Sequence, residues 1–189
     1  MSYKEYSSRG LAVRIVVIVF YIAVLYLTVP FARDIEKFLR THNIFTAGVY
    51  LALGLFVLMG AVGALRYTGF RLINVMVLSL LGLFYILVVM QYRVIAEKIH
   101  FIQYGILALL IYNSLSVSTA GFKNYLITLG LVTVLGWGDE LIQALHPERV
   151  YDIRDVFLNG IAGALMLGVI FTAEQLRRRS VSAPADHQS

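Results

Sequence analysis

Cysteine is absent from the 189 residues, which excludes a disulfide framework and any thiolate metal site. Charge is also scarce. Lys, Arg, Asp and Glu make up 14% of the chain, where an ordinary soluble domain carries about 25%. Sixteen basic and eleven acidic side chains, bunched into a few short stretches, cannot coat a soluble domain of this size. A soluble enzyme is thereby excluded, and lipid must cover what polar groups do not. No nucleotide-binding loop, internal repeat, low-complexity block or soluble domain is found in the sequence.

What the chain has instead is apolar residues, 59% of the total, in runs matched to a bilayer. Crossing roughly 30 Å of hydrocarbon takes about 20 residues of helix. Six spans are predicted: Leu11 to Pro30, Phe45 to Leu65, Leu72 to Met90, Phe101 to Val117, Tyr125 extended through Asp139, Glu140 and Gln143 to Leu145, and Val156 to Ala173. The fold expected is an all-α, polytopic membrane helix bundle. The first run follows Lys4, Arg9 and Arg14 in the manner of a signal peptide, but it is too long and ends at Val29-Pro30 without a small-residue cleavage site. It reads as a retained span. The organisation expected is a cytoplasmic N-terminus over 1–10, a single transmembrane bundle over 11–176, and a disordered cytoplasmic tail over 177–189.

With six spans both termini share a side, and Lys and Arg orient the bundle. Nine fall on the terminal side (Lys4, Arg9, Arg14, Arg66, Arg71, Lys123, Arg177, Arg178, Arg179) and seven on the other. Both termini are therefore expected to be cytoplasmic, in the inner cell membrane. Eight of the eleven acids lie on the outer side: Asp34, Glu36, Glu97, Asp139, Glu140, Glu148, Asp152 and Asp155. Between the first two spans Phe31, Ile35, Phe38 and Leu39 recur at helical spacing among charges, which predicts an amphipathic helix on the outer interface.

Ionisable groups within or beside spans are expensive, about 2.5 to 3.5 kcal/mol each at mid-membrane even on the lenient insertion scale, so they mark the candidate site. Three clusters sit towards the outer ends of the last three helices. Glu97, His100 and Tyr104 share one helical face. Asp139 and Gln143 share another, with Glu140 about 100° round the helix and glycines on both sides of Trp137. Asp152, Asp155, Asn159 and Gly163 form a narrow stripe leading into the last span, beside a small-residue pattern Gly160, Ala164, Gly168 that would admit a close neighbour. Packed side by side, these ends would gather an acidic pocket crossed by Arg149.

The string Glu97-x-x-His100-x-x-x-Tyr104, then Asp139-Glu140-x-x-Gln143-x-x-x-Pro147-x-Arg149-x-x-Asp152-x-x-Asp155-x-x-x-Asn159-x-x-Gly163, resembles the VanZ-like membrane proteins over residues 97–168. Asp139 stands where that family often carries an apolar residue. The resemblance implies a bacterial or archaeal membrane protein of the cell envelope, in a family whose namesake is associated with low-level teicoplanin resistance. The acyl-transfer label given to some members finds no support in these residues.

The function expected is binding or modification of a lipid-linked or cell-wall substrate on the outer leaflet. His100, Glu140, Asp155 and Glu97 are the candidate catalytic groups, with His100 and Glu140 or Asp155 exchanging protons. Arg149 is the candidate anchor for a phosphate or carboxylate, with Gln143, Asn159, Tyr104, Asp152 and Asp139 completing the binding set. The alternative is a non-enzymatic scaffold or accessory protein whose polar cluster is structural. A small carrier fits less well, because its broken helices and paired repeats are missing. So does a divalent metal held by Glu97, His100 and the aspartates; no cofactor and no metal is expected. The partners expected are membrane lipids, a lipid-linked cell-wall precursor or envelope machinery, and no nucleic acid.

Overall fold

The computed structural model describes residues 3–69, 71–92, 95–117, 119, 121–145 and 151–182, of which 3–9, 32–33, 95–97 and 180–182 are described by backbone alone. Seven α-helices follow in order: α1 (Tyr3–Thr28), α2 (Ala32–Thr41), α3 (Phe45–Thr68), α4 (Leu72–Met90), α5 (Ile95–Leu115), α6 (Phe122–Ala144) and α7 (Ile153–Ser182). A 3-10 turn at Val29–Phe31 breaks the chain between α1 and α2, where Pro30 has no N–H to continue the helix.

Side-chain contacts fix the direction of each helix. α1 runs antiparallel to α5, since Tyr21 reaches the carbonyl of Gln103 and Arg14 that of Asn113. α3 runs parallel to α5 and α7: Tyr50 meets Lys98, Phe56 meets Gly105, and Tyr67 meets Arg177. α4 returns beside α3, with Gly82 against Val57 and Tyr85 against Phe56. α6 is antiparallel to α5, Tyr104 touching Asp139 at one end and Tyr112 touching Asn124 at the other. α7 turns back alongside α5, bringing Glu174 to Tyr112. Six helices therefore alternate in direction, and the start of α1 and the end of α7 lie at the same end of the bundle.

Among the described residues five helices are long and apolar enough to cross a membrane: Gly10–Phe31, α3, α4, α6 and Ile153–Arg179. The expected span at Phe101 to Val117 falls in α5, which is not among the five because Lys98, His100, Gln103 and Asn113 dilute it. Its position explains how the bundle tolerates this. Phe101, Tyr104, Leu107 and Ala108 are at most 1% exposed, and they pack with Leu25, Leu53, Tyr85, Val132, Ala162 and Met166 at the centre of the molecule. A helix faced by other helices need not be apolar all round. Its 21 residues rise about 31 Å, so it travels the same depth as its neighbours. Lipid-facing helices carry the opposite signature: Phe20, Met59 and Leu80 are 65–71% exposed, far more apolar surface than water tolerates in contiguous patches. The chain is a multi-pass α-helical membrane protein.

The joins are local. Gly69 takes φ +87° to end α3, a conformation open to glycine, and buried Asn74 donates from Nδ2 to the carbonyls of Thr68 and Gly69 at 2.9 and 3.0 Å. Those C-terminal carbonyls have no intrahelical partner, so Asn74 pins the α3–α4 hairpin. α2 and the turn before it present Phe31, Ile35 and Phe38 at 50–62% exposure, while Arg40 pairs with Glu36 at 2.7 Å, an amphipathic helix at the end where α1 stops and α3 begins. At the far end, α7 continues through Arg177, Arg178 and Arg179 to Ser182, beyond the boundary expected at residue 176; residues 183–189 of the expected tail lie outside the described residues.

Candidate functional site

The polar groups at the start of α5, the end of α6 and the start of α7 meet at the end of the bundle that carries α2. Asp139, Glu140 and Gln143 all point inward from α6, at 7%, 0% and 6% exposure, while Trp137 faces outward at 49%. Helical geometry separates them, because residues 136, 139, 140 and 143 share a face and 137 does not. Gln143 donates from Nε2 to Glu140 Oε1 at 2.9 Å and to Asp139 Oδ2 at 3.4 Å. The Tyr104 hydroxyl donates to the same Asp139 Oδ2 at 3.1 Å, tying α5 to α6.

Glu140 receives its second bond from the chain entering α7. The backbone N–H of Asp152 donates to Glu140 Oε2 at 3.3 Å, and the Asp152 carboxylate in turn accepts from the N–H of Arg154 at 2.8 Å, capping the first turn of α7 as an N-cap aspartate does. Asp155 follows within electrostatic reach of Glu140. No Lys or Arg side chain pairs with Glu140 among the described residues, although it is wholly enclosed. Burying a carboxyl without a cation is costly, and the amide and the backbone N–H are the donors that offset it.

About 9 Å further along α7, counting from Ile153, Asn159 is fully buried. Its Nδ2 donates to the carbonyl of Gly136 at a long 3.5 Å, and its Oδ1 has no hydrogen-bond partner among the described residues. Only glycine fits opposite: a Cβ on Gly136 would lie 2.6 Å from Asn159 Cβ. Val132 crowds Gly163 in the same way, at 2.8 Å. The close approach therefore follows the Asn159/Gly163 stripe. It does not follow the adjoining small-residue pattern expected to carry it: a Cβ on Gly160 would lie 3.3 Å from the Thr133 hydroxyl, but one on Gly168 would meet nothing within 4 Å and Ala164 is exposed. α7 is turned so that its polar stripe, which needs partners, faces α6.

His100 is half-buried and stacks on Tyr104, ring centroids 6.0 Å apart at 20°, which places its imidazole beside the cluster. The structure thus brings together Tyr104, Asp139, Glu140, Gln143 and Asp152 through hydrogen bonds, His100 through stacking, Asp155 through charge, and Asn159 one layer deeper. Arg149, with Pro147 and Glu148, lies outside the described residues, as does the side chain of Glu97. Among the described residues no group of three or more His, Asp or Glu is arranged to hold a metal ion.

Sequence reasoning missed two contributors. Tyr26 of α1 reaches across to donate to the carbonyl of Leu135 at 2.8 Å, lying over Gly138 at 2.7 Å from where a Cβ would be; the signal was the glycine beside Trp137, which read as an interfacial feature. Lys98, 3% exposed, donates to the carbonyl of Val89 at 3.3 Å and lies over the Tyr50 ring, closing the end of α4. Such a cation suits a helix C-terminus. Comparison with protein-family models, with curated proteins and with solved structures finds no match to this chain.

Proposed function

We propose that this multi-pass membrane protein works in the bacterial or archaeal cell envelope, in the manner of the VanZ-like proteins its motif resembles, by binding or modifying the polar head of a lipid-linked or cell-wall substrate at the α5–α6–α7 cluster. The observation that carries this reading is Glu140: a carboxyl at 0% exposure in a membrane helix, bonded among the described residues by an amide and a backbone N–H, with Asp139, Asp152 and Asp155 around it. Intramembrane ionisable groups that are not paired with an opposite charge are costly to keep, which favours a functional role for them. Carboxylates, Gln143 and Asn159 accept from hydroxyl or ammonium groups, Arg149 can hold a phosphate or carboxylate, and His100 with Glu140 or Asp155 can exchange a proton. Both termini face the cytoplasm in this reading and the cluster faces out.

The test compares glycopeptide sensitivity of host cells lacking the protein and supplied with wild type, His100→Ala or Glu140→Gln, with membrane levels measured in parallel. Wild type alone protecting, at equal abundance, supports the site. Equal protection by all three refutes it. The second reading, a non-enzymatic scaffold or accessory protein, is favoured by the internal bonding of Gln143 to both carboxylates. It expects Glu140→Leu with Gln143→Leu to be better tolerated than either change alone, since breaking one partner of a buried pair costs more than replacing both.

A further inference from the structure

A second site lies at the opposite end of the bundle. Val13, Arg14 and Val17 of α1 face Leu110, Asn113 and Ser114 of α5 across a half-open cleft of about 320 Å³, within the range of about 300–1,000 Å³ typical of small-molecule sites. Arg14 donates from Nη1 to the carbonyl of Asn113 at 2.6 Å and has no carboxylate partner among the described residues. A guanidinium carries five N–H groups, so most remain for a ligand. Besides Arg14, the cleft is lined by the polar side chains of Asn113 and Ser114 and the aliphatic ones of Val13, Val17 and Leu110.

Depth and charge identify what fits. The apolar run of α1 follows Arg9 and starts at Gly10 and Leu11, so Arg14 lies about 6 Å along the helix from its start, near one end of the span and not at its middle. Lys123 at the start of α6 and Arg177 to Arg179 on α7 stand at this same end. We propose that the α1–α5 cleft binds the phosphate of an anionic phospholipid, Arg14 holding the phosphate by charge-assisted hydrogen bonds while an acyl chain lies against Val13, Val17 and Leu110. This site is independent of the carboxylate cluster and stands or falls without it.

Native mass spectrometry of the full chain released from micelles, with phosphatidylglycerol, phosphatidylcholine or inorganic phosphate added, tests the proposal. Phosphatidylglycerol should be retained over phosphatidylcholine, with inorganic phosphate failing to displace it. Arg14→Gln should lower its retention about tenfold, the loss of one charge-assisted contact, while Lys123→Gln leaves it unchanged. Val17→Trp, which fills the cleft and keeps the charge, should lower it too, and decides the matter if Arg14→Gln does not fold. Equal retention of the two lipids, displacement by inorganic phosphate, or indifference to both cleft variants overturns the proposal.

Discussion

Replacing Gly136 with alanine builds a methyl group 2.6 Å from Asn159 Cβ and 2.9 Å from its Nδ2, and replacing Gly138 builds one 2.7 Å from the Tyr26 hydroxyl. The distances are nearly equal, but the consequences are not. Asn159 Cβ is fixed to the backbone of α7, so relief requires α6 and α7 to separate where Val132 and Gly163 are already close. Overpacking of that kind costs about 1–3 kcal/mol. Alanine recovers about 1 kcal/mol of helix propensity relative to glycine, leaving Gly136→Ala destabilised by up to about 2 kcal/mol. The Tyr26 hydroxyl, by contrast, ends a side chain that can swing aside. Gly138→Ala then loses one hydrogen bond to Leu135, about 0.5–1.5 kcal/mol, against the same propensity gain, and comes out near neutral. Unfolding in mixed micelles with rising denaturing detergent, followed by circular dichroism and by the fluorescence of the single tryptophan, Trp137, measures both. Asn159→Gly should rescue Gly136→Ala in a double-mutant cycle with a coupling of about 0.5–3 kcal/mol. If Gly138→Ala is the more damaging change, or Asn159→Gly brings no recovery, the described contact between α6 and α7 is wrong.

Two further predictions follow from the same geometry. Because the chain has no cysteine, single substitutions report topology without background: a membrane-impermeant maleimide should label Lys37→Cys from one side of the membrane and Lys123→Cys from the other, and labelling of both from one side would refute the alternating path of the six helices. At the end remote from the carboxylate cluster, Tyr112 and Tyr125 donate to Glu174 at 2.6 and 3.0 Å, so Tyr112→Phe and Tyr125→Phe should each lower stability by about 1.5–3 kcal/mol. Glu174→Gln should cut the cost of either, and full additivity in that cycle would show that the carboxylate does not hold the two phenols.

The apolar spans were legible because bilayer thickness dictates run length directly, and α1, α3, α4, α6 and α7 fall where the runs fall. α2 was legible from Ile35 and Phe38 among charges for the same reason, since one face must meet something apolar. α5 was harder. Its polar residues look like a weak span in a linear reading, and only its place at the centre, with Tyr104 and Phe101 enclosed on all sides, explains how a helix that also buries Lys98 is tolerated. At the candidate site, spacing indicated that Asp139 and Gln143 share a face and that Asp152 leads into Asn159, because helical periodicity is local. It could not assign Gly136 as the partner of Asn159 or Tyr26 as the cover of Gly138, since those are contacts between helices far apart in the chain.

By itself the sequence determined that this protein lives in lipid, crosses it repeatedly and concentrates its ionisable groups near the ends of its last three helices, all of which follow from composition and short-range period. The tertiary structure alone decided which way each helix turns. Rotating α7 so that Asn159 and Gly163 face α6, and enclosing Glu140 between Gln143 and the Asp152 backbone, depend on how side chains from separate helices fill one another's gaps, and packing of that kind is not written in any single stretch of residues.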